Sequence, residues 1–233
     1  MLLVVLMLRC SLLMIERYIQ AVNTESPGLE DPAATRERLK SRFPAGAARR
    51  MTQMGMLTGS VLGGLEPTGE DAVIYASEFG ESRALESFLE SFPNASPTMF
   101  QTSIHPSGVQ QGLIGRQRSV PELFPFAGAG CIAGHALMAA LLNPAKRVLF
   151  CGGDERGTWL REHGVASERT FAFALSLAVE DSPGAIGCLR VLPDDGAAEA
   201  LTLISWFELL AQKNPFDGSL LPGLKLQLVW KKS

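Results

Sequence analysis

The side chains here that could do nucleophilic or metal chemistry are few: Cys10, Cys131, Cys151 and Cys188, with His105, His135 and His163. No two cysteines form a C-x-x-C pair, which argues against a zinc cluster or redox dithiol and suits a reducing compartment. The histidines lack the H-E-x-x-H spacing that sets two ligands on one helical face, so neither a metal site nor a cofactor is expected. Cys131 has the most suggestive position. Leu123 to Gly130 (LFPFAGAG) is an apolar run passing into small residues, and Cys131 to Leu142 (CIAGHALMAALL) continues as a helix packed through alanine and glycine. A nucleophile at such an elbow gains from the helix N-terminus, whose free N–H groups and positive end lower a thiol pKa and stabilise an oxyanion. The alternative is a cysteine acting as a small, inert hydrophobe inside an apolar helix. Gly152 to Glu155 spells GGDE, the opening of a cyclic-dinucleotide cyclase signature, but Arg156 follows in place of phenylalanine and no nucleotide-binding pattern surrounds it.

The elements that would carry these residues alternate between helix and strand. Ala33 to Phe43 has helical charge spacing and stops at Pro44. Ala47 to Leu65 repeats apolar residues every three or four positions as a buried methionine stripe, with glycines that permit close packing. Asp71 to Ser77 reads as an inner strand, Glu81 to Phe92 as a helix, and Phe100 to Arg118 as a second helix starting near Ser107. Arg147 to Cys151 is another inner strand, ending in a turn at Gly152 to Glu155. Thr170 to Val179 and Ile186 to Leu192 are strands that can pair across the turn at Asp181 to Gly184. A helix over Ala197 to Gln212 and a strand-like Leu224 to Trp230 complete a mixed α/β order.

The chain has 233 residues, 46% of them hydrophobic and 19% charged, with 23 glycines, a profile that supports a packed α/β domain. A net charge of −3 offers no footprint for nucleic acid or anionic membranes. Met1 to Ile15 is almost wholly apolar, yet too short to span a bilayer and without the charged and small-residue regions of a secretory signal. A buried strand or helix, or a true start at Met14 that makes residues 1–13 an artefact, are the readings left open. A cytoplasmic protein with no membrane span is expected.

Several segments together resemble the β-ketoacyl synthases, above all the short ketosynthase-like chain length factors of type II polyketide and aryl polyene systems. Arg49-Arg50-Met51 opening a small-residue helix, Ala72 to Ser77 followed by EFGE (Glu78 to Glu81), and RVLFCGGDE at Arg147 to Glu155 are similar to segments of that family in the same order. Ser96 to His105 (SPTMFQTSIH) resembles the S-P-T-x-F-x-x-S-V-H signature of the ketosynthase-like N-terminal domain, and Phe171 to Val179 resembles the strand after the variable cap. The likeness runs from Arg49 to Leu192. It implies a thiolase-like α/β fold corresponding to the ketosynthase N-terminal half, with a mixed sheet, buried helices and an incomplete second half. It divides the chain into an N-terminal segment, 1–48, and a ketosynthase-like domain, 49–233.

A ketosynthase places its nucleophilic cysteine in a T-A-C-S-S elbow and draws two histidines from the second half of its fold. Counting back from Gly152-Gly153 puts Ala127 or Gly128 at that cysteine and Cys131 a helical turn too late, inside the helix. The H-G-T and N-x-H segments are absent, and neither His135 nor His163 replaces them. The resemblance therefore implies a non-catalytic subunit that pairs as a heterodimer with a catalytic ketosynthase and meets acyl carrier protein mainly through it. Ser103, His105, Gly128, Gly130, Cys131, Gly134, Gly152 and Gly153 are the candidates for lining an acyl channel or subunit interface, and Gly128 to Ala140 for the contact face. An active synthase or acyltransferase using Cys131, with His105 as base, and a vestigial paralogue without a partner are the competing readings.

Overall fold

A computed structural model describes residues 14–194 and 201–231, so Cys10, residues 1–13 and the expected helix start at Ala197 lie outside the described residues. The strands are β1 (Ile15–Gly28), β2 (Ala72–Ser77), β3 (Glu122–Ala127), β4 (Arg147–Asp154), β5 (Thr170–Ala178), β6 (Gly187–Pro193), β7 (Phe216–Leu221) and β8 (Leu224–Trp230). They form one sheet in the order β3-β2-β4-β5-β1-β6-β8-β7. Only β3-β2-β4 is parallel; every other pairing is antiparallel.

The helices are α1 (Pro32–Leu39), α2 (Ala45–Ala48), α3 (Gln53–Gly63), α4 (Ser82–Glu90), α5 (Pro97–Ser103), α6 (Ser107–Gly115), α7 (Ile132–Leu142), α8 (Trp159–Glu162) and α9 (Leu203–Gln212). Side-chain caps mark several starts. Asp31 accepts from the Ala34 N–H, Thr52 from Gly55, Ser96 from Met99 and Thr202 from Ser205, each satisfying an N–H that a helix start leaves free.

Period-two alternation divides the core between the two faces of the sheet. Ile74, Val148, Phe150, Phe171 and Phe173 meet α7 and α9 through Leu137, Trp206 and Phe207. Val73, Tyr75, Leu149, Cys151 and Ala174 meet the methionine stripe of Met51, Met54 and Leu57 with Val109 of α6. A Cβ on Gly112 would strike the Gly59 backbone, so the expected glycine packing is the crossing of α3 and α6.

Several local expectations change. Ala47 to Leu65 is two helices, because Thr52 caps a new start after the Arg50 N–H closes a turn on the Ala47 carbonyl. Phe100 to Arg118 splits likewise, with the second helix starting at Ser107 as expected. Gly152 and Gly153 form no turn: β4 runs through to Asp154. The strands at Thr170 and Gly187 do not pair with one another, since β1 lies between them. Residues 15–48 thus share the sheet and core of residues 49–233, with Ile19, Leu39, Phe43 and Ala48 buried among them. Beyond β6, α9 packs on the sheet and the β7–β8 hairpin extends it. Among the described residues no helix is long and apolar enough to cross a membrane.

Candidate functional site

The three parallel strands end on one side of the sheet, at Ser77, Ala127 and Asp154, and the carboxyl ends of parallel strands are where α/β sheets open a crevice. Asp154 organises the loop beyond β2. One carboxylate oxygen accepts from Ser77 Oγ at 2.7 Å, the Glu78 N–H at 3.0 Å and the Phe79 N–H at 3.1 Å. Burial pushes its pKa up, while these donors pull in the opposite direction.

That loop delivers Glu81, whose side chain is wholly buried. Its Oε1 accepts from the Gly108 N–H at 2.8 Å, and its Oε2 lies 3.4 Å from His105 Nδ1. The His105 ring stacks on Tyr75, with centroids 5.0 Å apart and planes 14° from parallel. Tyr75 is fully buried, and its pKa is raised by burial first and by the charge of Glu81 next. Neither the Tyr75 hydroxyl nor either His105 ring nitrogen makes a hydrogen bond.

The facing wall is the elbow between β3 and α7. Gly128 at φ 134° and Gly130 at φ 87° hold backbone angles that side-chain-bearing residues rarely adopt, which lets the chain reverse from strand to helix within four residues. Ala127, Gly128 and Ala129 line a cavity of about 490 Å³ together with Phe79, Glu81, Ser103 and His105. Leu85 and Val165 make much of its remaining wall apolar.

The candidates therefore separate. Ser103, His105 and Gly128 line this cavity, and the Ser103 hydroxyl donates to the Phe100 carbonyl at 2.8 Å. Gly130 is on the elbow, with open space where a side chain would project. Cys131 is half-buried at the N-cap of α7 rather than inside the helix as counting suggested, because α7 begins only at Ile132, and it is not in the cavity lining. Gly134, Gly152 and Gly153 serve packing. A Cβ at Gly134 would strike the Leu220 carbonyl, at Gly152 the Ala76 carbonyl, and at Gly153 the Phe171 carbonyl. The expected contact face over Gly128 to Ala140 is accordingly occupied in part, with Ala133, Ala136 and Ala140 fully buried within the chain.

What the sequence reading missed is the set of buried acids beside the cavity: Glu81, Asp154 and Glu155. A signal existed, since Asp154-Glu155 directly follows an apolar inner strand and Glu81 follows another after a short loop; acids so placed sit where the sheet meets its loops. Among the described residues no group of three or more His, Cys, Asp or Glu side chains is placed to hold a metal ion. The cavity can accommodate an apolar chain beside the carboxyls of Glu78 and Glu81 and the imidazole of His105, and no cysteine is in its lining.

No family model and no curated protein matches this sequence. Solved structures do. One is a chain of the complex of the ketosynthase ApeO with its chain length factor ApeC from Xenorhabdus doucetiae, matched with a TM-score of 0.65 and 19% identity over 91% of this chain and 98% of that chain. Another is the ishigamide ketosynthase/chain length factor, with a TM-score of 0.55 and 13% identity over 77% of this chain and 68% of that chain. At these identities the likeness is one of architecture: the chain has the thiolase-like α/β fold of ketosynthase and chain length factor structures.

Proposed function

We propose that this chain is a chain length factor-type partner subunit, which pairs with a catalytic β-ketoacyl synthase in polyketide, aryl polyene or fatty acid-type biosynthesis and works in the cytoplasm. The observation that carries this reading is the elbow: Ala127, Gly128 and Ala129 face the cavity where a synthase of this fold needs a thiolate, and Cys131 is outside the lining. Decarboxylative condensation requires a nucleophile to hold the acyl chain and donors to stabilise the enolate, and this cavity offers no cysteine for the first step. Ser103, His105 and Gly128 then shape an acyl channel, while acyl carrier protein is met mainly through the partner.

The edge strand supports pairing. Among the described residues β3 pairs with β2 alone, and it carries Leu123-Phe124-Pro125-Phe126, with Phe124 43% exposed. An apolar sheet edge left open is a template for another chain, and a specific partner is one way a protein covers it.

Co-expression with a ketosynthase encoded beside it, followed by pull-down and analysis of product chain length, tests the proposal. A stable heterodimer is expected, with no acyl adduct on this chain by mass spectrometry. A monodisperse monomer that ignores the ketosynthase would sink the partner reading, and a thioester on Cys131 would establish the enzyme reading instead.

A further inference from the structure

We propose that a second cleft, between the N-termini of α3 and α4, is a binding site for a small oxyanion, held by Arg36, Arg83 and the carboxyl of Glu155. The cleft has a volume of about 160 Å³ and is lined by Arg36, Thr52, Gln53, Arg83, Ser87 and Glu155 among others. Its scale suits a sulfate, phosphate or carboxylate group rather than an acyl chain. It also opens on a different set of residues from the cavity at the elbow, so it stands or falls independently of the partner reading.

Three features converge there. Two guanidinium groups line the cleft: Arg36 donates to the Met51 carbonyl, and Arg83 makes a long ion pair with Glu86 at 3.9 Å. The N-terminus of α3, eleven residues long, reaches the cleft at Thr52 and Gln53, and the first-turn N–H of Gln53 has no intrahelical acceptor. The third feature points to a ligand most directly. Glu155 is 1% exposed and lines the cleft; its Oε1 accepts the Arg83 N–H at 2.9 Å, while its Oε2 has no hydrogen-bond partner at all.

A neutral Glu155 carries its proton on Oε2, the oxygen not occupied by Arg83. That makes a buried O–H donor without an acceptor, in a cleft that two arginines also line. The missing partner is an acceptor, and an anion satisfies donor and guanidinium groups together. Burial pushes the Glu155 pKa up to about 7, opposed by the backbone N–H groups of Arg83 and Ala84 and by the Arg83 charge, while the charge of Glu81 adds to the rise. The other charged or titratable neighbours are Asp154, which precedes it in the chain, Tyr75, whose own pKa rises partly from Glu155, and Arg36 across the cleft. An anion binding here favours protonated Glu155, so binding takes up a proton and weakens as pH rises.

Sulfate and acetate are the probes, since both keep a constant charge between about pH 6 and about pH 8. Titration calorimetry on the full chain at constant ionic strength should show one saturable site at the lower pH, with affinity at least about tenfold weaker at the higher. Sulfate binding tighter than acetate assigns the site to sulfate- or phosphate-type groups, and the reverse order assigns it to carboxylates. Arg83→Gln, a change at a partly exposed side chain, should weaken binding about tenfold or more at the lower pH. Glu155→Gln keeps an acceptor for Arg83 and a donor for the anion, so it should bind equally well at both pH values. Absence of saturable binding overturns the proposal. So does unchanged affinity in Arg83→Gln, or a Glu155→Gln protein that retains the wild-type pH dependence.

Discussion

Glu155 makes the stability of the fold depend on pH, whether or not an anion is bound. Its carboxyl titrates near 7 in the folded chain against 4.5 for an ordinary glutamate, so the folded state holds the proton more tightly than the unfolded one. Stability is therefore greatest below about pH 4.5 as far as this group is concerned, falls as pH climbs to about 7, and is level above. The loss amounts to roughly 3 kcal/mol at most. Urea titrations at acid and neutral pH should show Glu155→Gln losing less stability across that window than the wild type. A variant as pH-sensitive as the wild type would assign the dependence to other groups. Cys131 and Cys151 provide a second residue-scale contrast. Cys131 is half-buried at a helix cap, whereas Cys151 is fully buried with its thiol pKa pushed up by burial. Brief alkylation of the native chain followed by peptide mapping should label Cys131 and spare Cys151. The sequence singled out Cys131 by its place at the elbow but not its exposure, because accessibility depends on where α7 starts and on what covers β4.

At the scale of elements, an ion pair fastens the starts of β2 and β4. Asp71 is almost fully buried; burial raises its pKa, but Arg147 and the Thr68 groups outweigh it and leave the carboxyl below the usual range. Arg147 donates as well to the Leu65 and Glu66 carbonyls, which ties down the turn before β2. Arg147→Met leaves a buried carboxylate unpaired and should cost about 3 kcal/mol in chemical denaturation. Gly134→Val drives a side chain of α7 into the backbone of β7 and should cost roughly 1–3 kcal/mol. The helix capped by Ser96 began earlier than the expected Phe100, whereas the strand at β2 and the start at Ser107 were readable locally, from β-branched residues and a proline-glycine break. The splitting of the methionine helix was not, because Thr52 reads as an ordinary interior residue until its hydroxyl is seen bonding Gly55.

For the molecule as a whole, the proposed pairing places the interface at β3, an edge strand among the described residues. Phe124→Glu places a charge on that edge without disturbing the core, since Phe124 is already partly exposed. The variant should retain its fold by circular dichroism and lose the ketosynthase in size-exclusion chromatography. Retention of the heterodimer would place the interface elsewhere on the chain. The match that extends over 98% of a chain from a solved ketosynthase and chain length factor complex shows that this architecture occurs at comparable length. Beyond the segment that carries the resemblance, the β7–β8 hairpin joins the same sheet and α9 packs against it.

By itself the sequence determined the α/β class, the inner strands, the alanine- and glycine-packed helix and the elbow residues, since each is written in local periodicity, caps and small-residue runs. The family resemblance put Ala127 or Gly128, not Cys131, at the expected cysteine; in the structure Ala127, Gly128 and Ala129 line the cavity and Cys131 does not. Only the tertiary structure decided that β1 divides β5 from β6, for strand pairing across more than a hundred residues leaves no local trace in a segment as polar as Ile15–Gly28. It also decided that Glu81, Asp154 and Glu155 are buried beside the cavity and cleft, because an acid's burial is fixed by the loops and helix ends that close over it.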